Sequence, residues 1–259
     1  MLNYIKSEFY RNINTKGNYI FLFGFMAFAC FLNIVLGIFA NNDASFRYGS
    51  TNFSFSSFYT SMGAIMIICL PFVLLICGQE FKHSTLKNSI SYGISRSQIY
   101  FSKFFVEIVI GTINLVLISA SYIISAYIML EDSGILHFNY LIRAIVACIP
   151  LFLVGVILAH CLYFILENEI SVWTTWIILM IVVPKILSML GRKIVAFDKI
   201  ASCMPINIMS TYTYHKGSVS VFMSWNNQDV FIKCFIVGII GTIIFYTLGL
   251  VLFKKRDIK

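Results

Sequence analysis

The chain has 259 residues, of which 59% are hydrophobic and only 12% are charged, and its mean hydropathy is +0.86. Soluble domains carry about 25% charged residues, so this composition excludes an ordinary soluble protein and indicates a chain solvated mainly by lipid. A net charge of +8 is also typical of nucleic-acid-binding proteins. Here the basic residues cluster between apolar runs, where anionic headgroups and the positive-inside rule account for them better.

The N-terminal stretch MLNYIKSEFYRNINTK has a helical pattern. Leu2, Ile5, Phe9 and Ile13 fall on one face, and the basic residues fall elsewhere. We therefore predict an amphipathic helix within residues 1–18 that lies in the inner headgroup layer. A polar tail without regular structure is the alternative. The apolar run that follows is longer than a signal-peptide core, so we do not expect a cleaved signal.

Six apolar stretches are long enough to cross a bilayer, which takes about 20 residues. They are Tyr19–Ala40, Phe58–Gln79, Phe104–Leu130, Leu141–Leu166, Val172–Leu190 and Val230–Phe253. Pro71, Pro150 and Pro184 lie inside the second, fourth and fifth spans, where we expect kinks. The predicted fold class is an all-α polytopic membrane protein, with a transmembrane domain of six helices over residues 19–259.

The basic residues beside these spans predict the orientation. Eleven Lys and Arg lie on the side that holds both termini and the connection between spans two and three, and five lie on the other side. Cytoplasmic loops carry the excess of Lys and Arg in membrane proteins. We therefore predict that the N-terminus, the C-terminus and this connection face the cytoplasm.

The connection between the second and third spans, QEFKHSTLKNSISYGISRSQIYFSKF, is much longer than a turn between two neighbouring helices requires. Leu86, Ile90 and Ile94 recur every four residues within it. This spacing predicts a short amphipathic helix from about Ser84 to Tyr92. Such a helix lies across the ends of the spans, and its length indicates a recognition role.

Further signals define how the chain leaves this short helix. Gly93 stands where a helix end favours a left-handed residue. Ser95 and Gln98 have the spacing of a capping box that opens the next helix. Lys103 is expected to extend towards the headgroups, and Glu107, one turn deeper, is expected to pair with it.

The same segment resembles the cytoplasmic segment of ABC-2 type permeases, the membrane subunits of one class of ABC exporter. That family has a Glu at the end of the second span, a Gly-Thr-x-Lys/Arg sequence, a Ser/Thr-Arg pair and a Lys that enters the third span. The matching positions here are Glu80, Thr85, Lys87, Ser95, Arg96 and Lys103. Ser84 stands where the family usually has Gly, and Tyr92-Gly93 replaces a common proline-containing corner. Span count and the basic tail LFKKRDIK extend the resemblance along the chain.

The resemblance implies a permease subunit without enzymatic activity or a bound cofactor of its own. It would pair with a second permease chain, identical or different, and with two cytoplasmic ABC ATPase subunits that bind ATP and Mg. Residues 80–103 would form the coupling segment, seated in a groove of the ATPase. The coupling residues would be Glu80, His83, Thr85, Leu86, Lys87, Ile90, Arg96 and Lys103. Leu86 and Ile90 would dock, whereas a solvated basic loop is the alternative.

The long outer connection, residues 191–229, mixes Ile, Met and Tyr with few charges. In the resembling family this stretch forms short re-entrant helices before the last span. Irregular backbone at membrane depth must be covered by protein. Arg192, Lys193 and Lys199 would then lie at the outer headgroups, either as anchors or as an attraction for an anionic headgroup.

Polar residues inside membrane spans are candidates for function. Asn33, Asn114, His160 and Lys185 are the candidates for a substrate path. The alternatives are helix-to-helix hydrogen bonds for the asparagines and a structural role for His160. For Lys185 the alternative is outward extension of the side chain. Trp173 and Trp176 are predicted to belong to an interfacial aromatic belt.

The chain has no GxxxxGK[ST] loop, no GxSxG elbow and no CxxC or HExxH spacing, so we expect no nucleotide, serine-nucleophile or metal site. The predicted function is export of an amphipathic or lipophilic substrate, such as an antimicrobial peptide or a drug, across a bacterial cell membrane. Permeases for lantibiotic or bacitracin self-protection are of this size. A membrane scaffold, or an intramembrane enzyme without ATPase coupling, is the alternative.

Overall fold

The structure of the protein is a computed structural model. It describes residues 2–43, 45–82, 89–166, 168–209, 212–215, 218–221 and 228–256, and of residues 79–82, 212–215 and 218–221 it describes the backbone alone. The helices are α1 Leu2–Ile13, α2 Lys16–Asn42, α3 Thr51–Thr60, α4 Met62–Ile65, α5 Cys69–Lys82, α6 Arg96–Met129, α7 Leu136–Leu166, α8 Glu169–Ile177, α9 Val183–Gly191, α10 Val195–Ala201, α11 Pro205–Met209 and α12 Gln228–Lys255.

The predicted polytopic helical architecture is confirmed. Five helical stretches in the described residues are long and apolar enough to cross a membrane. A sixth span is formed when Thr51–Thr60 and Met62–Gly78 are taken together, although these two pieces are bent by 54°. Taken as one span, this pair begins at Thr51, earlier than the predicted Phe58, and it is broken at Ser61.

Two of the three intramembrane prolines follow irregular helix. A 3-10 turn, Met66–Ile68, precedes Pro71, and a π-helical segment, Ile178–Val182, precedes Pro184. Proline lacks an N–H group and its ring clashes with the carbonyl four residues earlier, so the helix must rearrange just before it. Helix α7, in contrast, continues through Pro150.

Helix α7 is the centre of the bundle. Of its most apolar stretch 72% is buried inside the protein, compared with 11% for the last helix. Helix α12 packs along α7, and Gly238 lies directly against Pro150: a Cβ atom on Gly238 would come within 2.9 Å of the Pro150 carbonyl oxygen. A glycine at this position therefore lets the two backbones approach closely, as small residues do between membrane helices.

Contacts between helix ends place both termini at the same end of the bundle. Lys103 in the first turns of α6 contacts Glu8 of α1, and Arg96 donates to carbonyls at the end of α12. We call this end the loop end. At the opposite end, Thr51 N donates to Glu131 O at 2.9 Å. Which end faces the cytoplasm remains a prediction from the charges.

The described part of the connection between the fifth and last spans contains two short helices, α10 and α11, together with a hairpin that was not predicted. Re-entry of these helices into the membrane stays a prediction. The strands of the hairpin, β1 Tyr212–His215 and β2 Ser218–Val221, pair antiparallel. Asn207 holds α11 in place, because its Nδ2 donates to Pro184 O at 3.2 Å and to Ser188 Oγ at 2.9 Å. These two hydrogen bonds thus hold α11 against the fifth span.

The close approach at Gly238 makes a prediction about stability. Gly238→Ala should lower the thermal unfolding temperature in detergent, because overpacking typically costs about 1–3 kcal/mol and here the added methyl meets backbone atoms. Gly24→Ala is the matched control, since a Cβ there meets nothing within 4 Å. Equal unfolding temperatures for the two variants would contradict the packing of α12 against α7.

Candidate functional site

The chain enters helix α6 through a corner whose geometry is fixed by hydrogen bonds. Residues 89–91 are helical, and Gly93 then has φ +84°. Gly93 N donates to Ile90 O at 2.9 Å, and Ile94 N donates to Ser89 O at 3.2 Å. This pair of bonds is the Schellman motif, which ends a helix on a left-handed residue. The predicted helix stop at Gly93 is confirmed.

The predicted capping box at the start of α6 is also confirmed. Ser95 Oγ accepts from Gln98 N, and Gln98 Oε1 accepts from Ser95 N, each at 3.3 Å. Two N–H groups at the helix start, which have no partner within the helix, are satisfied in this way. Together the Schellman motif and the capping box make residues 89–98 a defined corner, which we call the loop-end corner.

Arg96 attaches this corner to α12, and Arg256, just after α12, attaches the end of that helix to α7. Arg96 NH1 donates to the carbonyl oxygens of Phe253, at 3.3 Å, and of Lys254, at 2.9 Å. Arg256 NH1 donates to Phe164 O at 2.6 Å. Both guanidinium groups therefore bind the carbonyls at a helix C-terminus, where a positive charge is favoured by the helix dipole. Arg96 thus joins the first turn of α6 to the last turn of α12.

Most of the other predicted coupling residues lie outside the part of the chain that the structure describes. His83, Thr85, Leu86 and Lys87 lie outside the described residues, as does the side chain of Glu80. Ile90 is half-buried and packs against the core of its own chain. Tyr92, which the sequence did not single out, is 86% exposed at the corner. Docking by Leu86 and by Ile90 stays a prediction.

Lys103 is completely buried, so it does not extend towards the headgroups as expected. Its Nζ lies 3.0 Å from Glu8 Oε2. Arg11 NH2 lies 2.6 Å from the same Glu8 oxygen and donates to Ile76 O at 3.3 Å. Glu8 is only 3% exposed, whereas Leu2 is 73% exposed, so α1 buries a charged side chain and leaves an apolar one on the surface. Helix α1 is present, and its position in the inner headgroup layer stays a prediction.

One turn deeper, Glu107 of α6 contacts two other helices. Cys77 Sγ of α5 donates to Glu107 Oε1 at 2.9 Å. Nδ1 of His160, on α7, lies 3.0 Å from Oε1 and 2.9 Å from Oε2 of the same carboxylate. Each of the three side chains is at most 1% exposed. The sequence missed this group, which we call the Cys-Glu-His cluster, because its members are about 30 and 50 residues apart.

A cavity of about 430 Å³ lies between α2, the broken second span and α6. Its walls are largely aromatic and aliphatic, with Phe21, Phe58 and Phe72 among them, and Asn114 is one of the few polar groups that line it. Ligand pockets for apolar molecules have this composition and a volume of about 300–1,000 Å³. Of the candidate substrate-path residues, Asn114 is thus the one placed at a cavity wall.

The remaining candidates for the substrate path have other roles or positions. Asn33 is buried and donates from Nδ2 to Tyr122 O at 2.9 Å and to Ser125 Oγ at 2.8 Å. Ser54 Oγ donates to its Oδ1 at 2.7 Å. Asn33 therefore joins α2, α3 and α6, as the structural alternative stated. Lys185 is exposed.

The aromatic belt prediction is wrong for Trp176. This side chain is fully buried, and its Nε1 donates to Gly155 O at 2.9 Å. Gly155 lies on α7, and because it has no side chain the indole can lie close to the helix backbone: a Cβ atom there would be 3.5 Å from Trp176 Cζ2. Trp173, one turn earlier, lines the cavity. The fifth span is therefore held to the central helix by a buried tryptophan.

The ion pair between Glu8 and Lys103 makes a second prediction. Glu8→Gln should destabilise the protein by about 3–5 kcal/mol, since it removes the carboxylate that a fully buried ammonium contacts. Hydrogen exchange of residues 2–13 should accelerate, because α1 loses its main polar attachment to α6. Unfolding temperature and exchange mass spectrometry measure the two effects.

The double variant Glu8→Gln with Lys103→Met is the control for this prediction. It removes both charges, so it should be more stable than Glu8→Gln alone. Lys254→Met, at an exposed position of α12, should leave both measurements unchanged. If Glu8→Gln behaves like Lys254→Met, the pair does not hold α1 in place.

Comparisons with known proteins assign this chain to no family. No protein-family model matches it, and no curated protein is significantly similar to it. Its function must therefore be inferred from the geometry described above: the loop-end corner, the buried ion pair of α1, the Cys-Glu-His cluster and the apolar cavity.

Proposed function

We propose that the chain is the membrane subunit of an ATP-driven exporter of the ABC-2 type, which moves an amphipathic or lipophilic substrate out of the membrane or cell. Two cytoplasmic ABC ATPase subunits, with ATP and Mg, would supply the energy, and a second permease chain would complete the substrate path. The loop end would face the cytoplasm of a bacterial cell, in agreement with the positive-inside rule.

The observation that carries this proposal is the loop-end corner. A segment that transmits force must be stiff, and residues 89–98 have a hydrogen-bonded helix end on one side of Ser95 and a capping box on the other. Arg96 then joins this corner to the carbonyls of α12. A push on the segment before Ser89 would therefore reach both the third and the last span.

The apolar cavity supports the choice of substrate class. It contacts α2 and α6 and both halves of the broken second span, and its polar groups are few. Such walls favour an acyl chain or an aromatic group over a hydrophilic solute. The second span leads from this cavity to the segment that begins at Gln79, so a movement of that segment would change the cavity.

The alternatives are less well supported. An intramembrane enzyme needs reactive groups that a substrate can reach, whereas Cys77, Glu107 and His160 are each at most 1% exposed. A membrane scaffold needs no rigid entry into the third span and no apolar cavity. Both alternatives predict that no nucleotide-hydrolysing protein copurifies with the chain.

The test is copurification of the ATPase from the native host. The parent chain should bring down a protein with a Walker loop, identified by mass spectrometry. Leu86→Asp and Tyr92→Asp should each reduce its yield. An apolar anchor at an interface centre is typically worth about 2 kcal/mol, which is about thirtyfold in Kd. Ile90 is not used, because it packs against the chain's own core.

Ile135→Asp is the matched control, because Ile135 is 69% exposed and lies at the opposite end of the bundle. It places the same charge on an apolar surface position and should leave copurification unchanged. The proposal fails if the parent chain brings down no ATPase, or if Leu86→Asp and Tyr92→Asp retain the parental yield while the protein stays folded.

A further inference from the structure

The Cys-Glu-His cluster has the chemistry of a metal site. A thiol, a carboxylate and an imidazole are the side chains that bind Zn²⁺ in proteins. Their ligand atoms on Cys77, Glu107 and His160 all lie within 4.8 Å of one another. We propose that these three residues bind one divalent ion of the zinc type inside the bundle. The inference does not depend on the proposed function, because it concerns binding to the chain alone.

The distances fit such an ion with little movement. In a tetrahedral zinc site the ligand atoms are about 3.3–3.6 Å apart, given metal–ligand distances of about 2.0–2.3 Å. Here Cys77 Sγ is 2.9 Å from Glu107 Oε1, and His160 Nδ1 is 2.9 Å from Oε2. Each of these two pairs therefore needs to separate by only about half an ångström, and the ligand atoms of all three residues already lie within 4.8 Å of one another.

Electrostatics also favours a divalent ion. On binding, Cys77 releases its thiol proton to solvent and becomes a thiolate. The charges of a 2+ ion, a thiolate, a carboxylate and a neutral imidazole add up to zero. A net charge of zero has the smallest desolvation penalty in a buried site. A thiolate and an imidazole select zinc-like ions over Mg²⁺ and Ca²⁺, which prefer oxygen ligands.

Two polar atoms near the cluster support a role beyond packing. His160 Nε2 and Tyr100 Oη are buried, and neither has a hydrogen-bond partner among the residues that the structure describes. The two rings are in edge contact, with centroids 4.4 Å apart. Buried polar groups without partners cost about 1–3 kcal/mol each. A core that only had to pack would be more stable with apolar side chains at these positions.

The position of the cluster predicts a structural role for the ion. Cys77, Glu107 and His160 belong to α5, α6 and α7, and Cys77 lies just before the segment that connects the second and third spans. One ion would hold three helices together at the loop end.

The experiment is a Co²⁺ titration of the purified full chain in detergent, without an affinity tag. All variants carry Cys203→Ser, because Cys203 is the exposed cysteine among the described residues. The parent should bind one Co²⁺ per chain, with a near-ultraviolet thiolate-to-cobalt band that Zn²⁺ abolishes. Cys77→Ser should remove this band and lower the affinity at least about a hundredfold, since even the loss of an outer partner costs about 10–100-fold.

Glu107→Gln should keep the band and lower the affinity at least about tenfold, because one charged ligand is lost. Cys69→Ser is the matched control: Cys69 is a buried cysteine two turns earlier on α5 that donates to Phe152 O, and its variant should bind like the parent. If the parent binds less than one ion per chain, or if Cys77→Ser retains the band, the site does not exist.

If a variant does not fold, a measurement on the parent protein still tests the proposal. X-ray absorption of the zinc-loaded parent, in the Cys203→Ser background, should show one sulfur at about 2.3 Å and nitrogen or oxygen ligands at about 2.0 Å. A spectrum without sulfur overturns the proposal.

Discussion

The contact between Lys103 and Glu8 is the interaction on which the loop end of this protein depends. An ammonium group with no exposed surface is tolerated only beside an opposite charge, because burying an isolated ion costs several kcal/mol. Helix α1 has only 12 residues, too few for a stable isolated helix in water. The ion pair fixes it against α6, and Arg11 carries the attachment on to the backbone of α5. Leu2 and Ile13, at the two ends of α1, are left exposed, where lipid can solvate them.

The other attachments of α6 follow from helical spacing. Arg96, Lys103 and Glu107 are seven and four residues apart, so they fall on one face of the helix within about 40°. Tyr100, four residues after Arg96, shares that face. A single polar stripe therefore contacts the end of α12 through Arg96, α1 through Lys103, and α5 and α7 through Glu107. Burying this stripe has a large desolvation cost in an apolar protein. Each of its charged side chains therefore needs a partner on another helix.

Much of this arrangement could be predicted from local signals in the sequence, whereas the long-range pairs could not. Span positions follow from hydropathy, and Gly93 with the Ser95–Gln98 box follows from rules that act within one turn.

The partners of Lys103 and Glu107 depend on which helices become neighbours, and a spacing of 95 residues between Glu8 and Lys103 carries no such information. The same limit applies to Trp176: an interfacial role was assigned from its position in the span, whereas its indole donates to the Gly155 carbonyl inside the core. The hairpin does have a local signal: Tyr212–His215 and Ser218–Val221 alternate aromatic or β-branched residues with polar ones on either side of a Lys-Gly pair, a pattern that composition and hydropathy do not reveal.

The polar stripe also explains why the loop-end corner and the Cys-Glu-His cluster belong to one mechanical unit. A corner made rigid by its own hydrogen bonds transmits movement only if the helix that follows it is attached to its neighbours. Arg96 supplies the attachment at the first turn of α6, and Glu107 supplies it three turns later. Between them the displacement of α6 must be shared with α12, α5 and α7, because the carbonyl, thiol and imidazole partners cannot be exchanged for water inside the bundle. In the proposed exporter, the strength of the contact at Glu107 would set how far a movement at residues 89–95 reaches into the membrane: a hydrogen-bonded cluster would permit some sliding, whereas a metal ion with ligands from three helices would not.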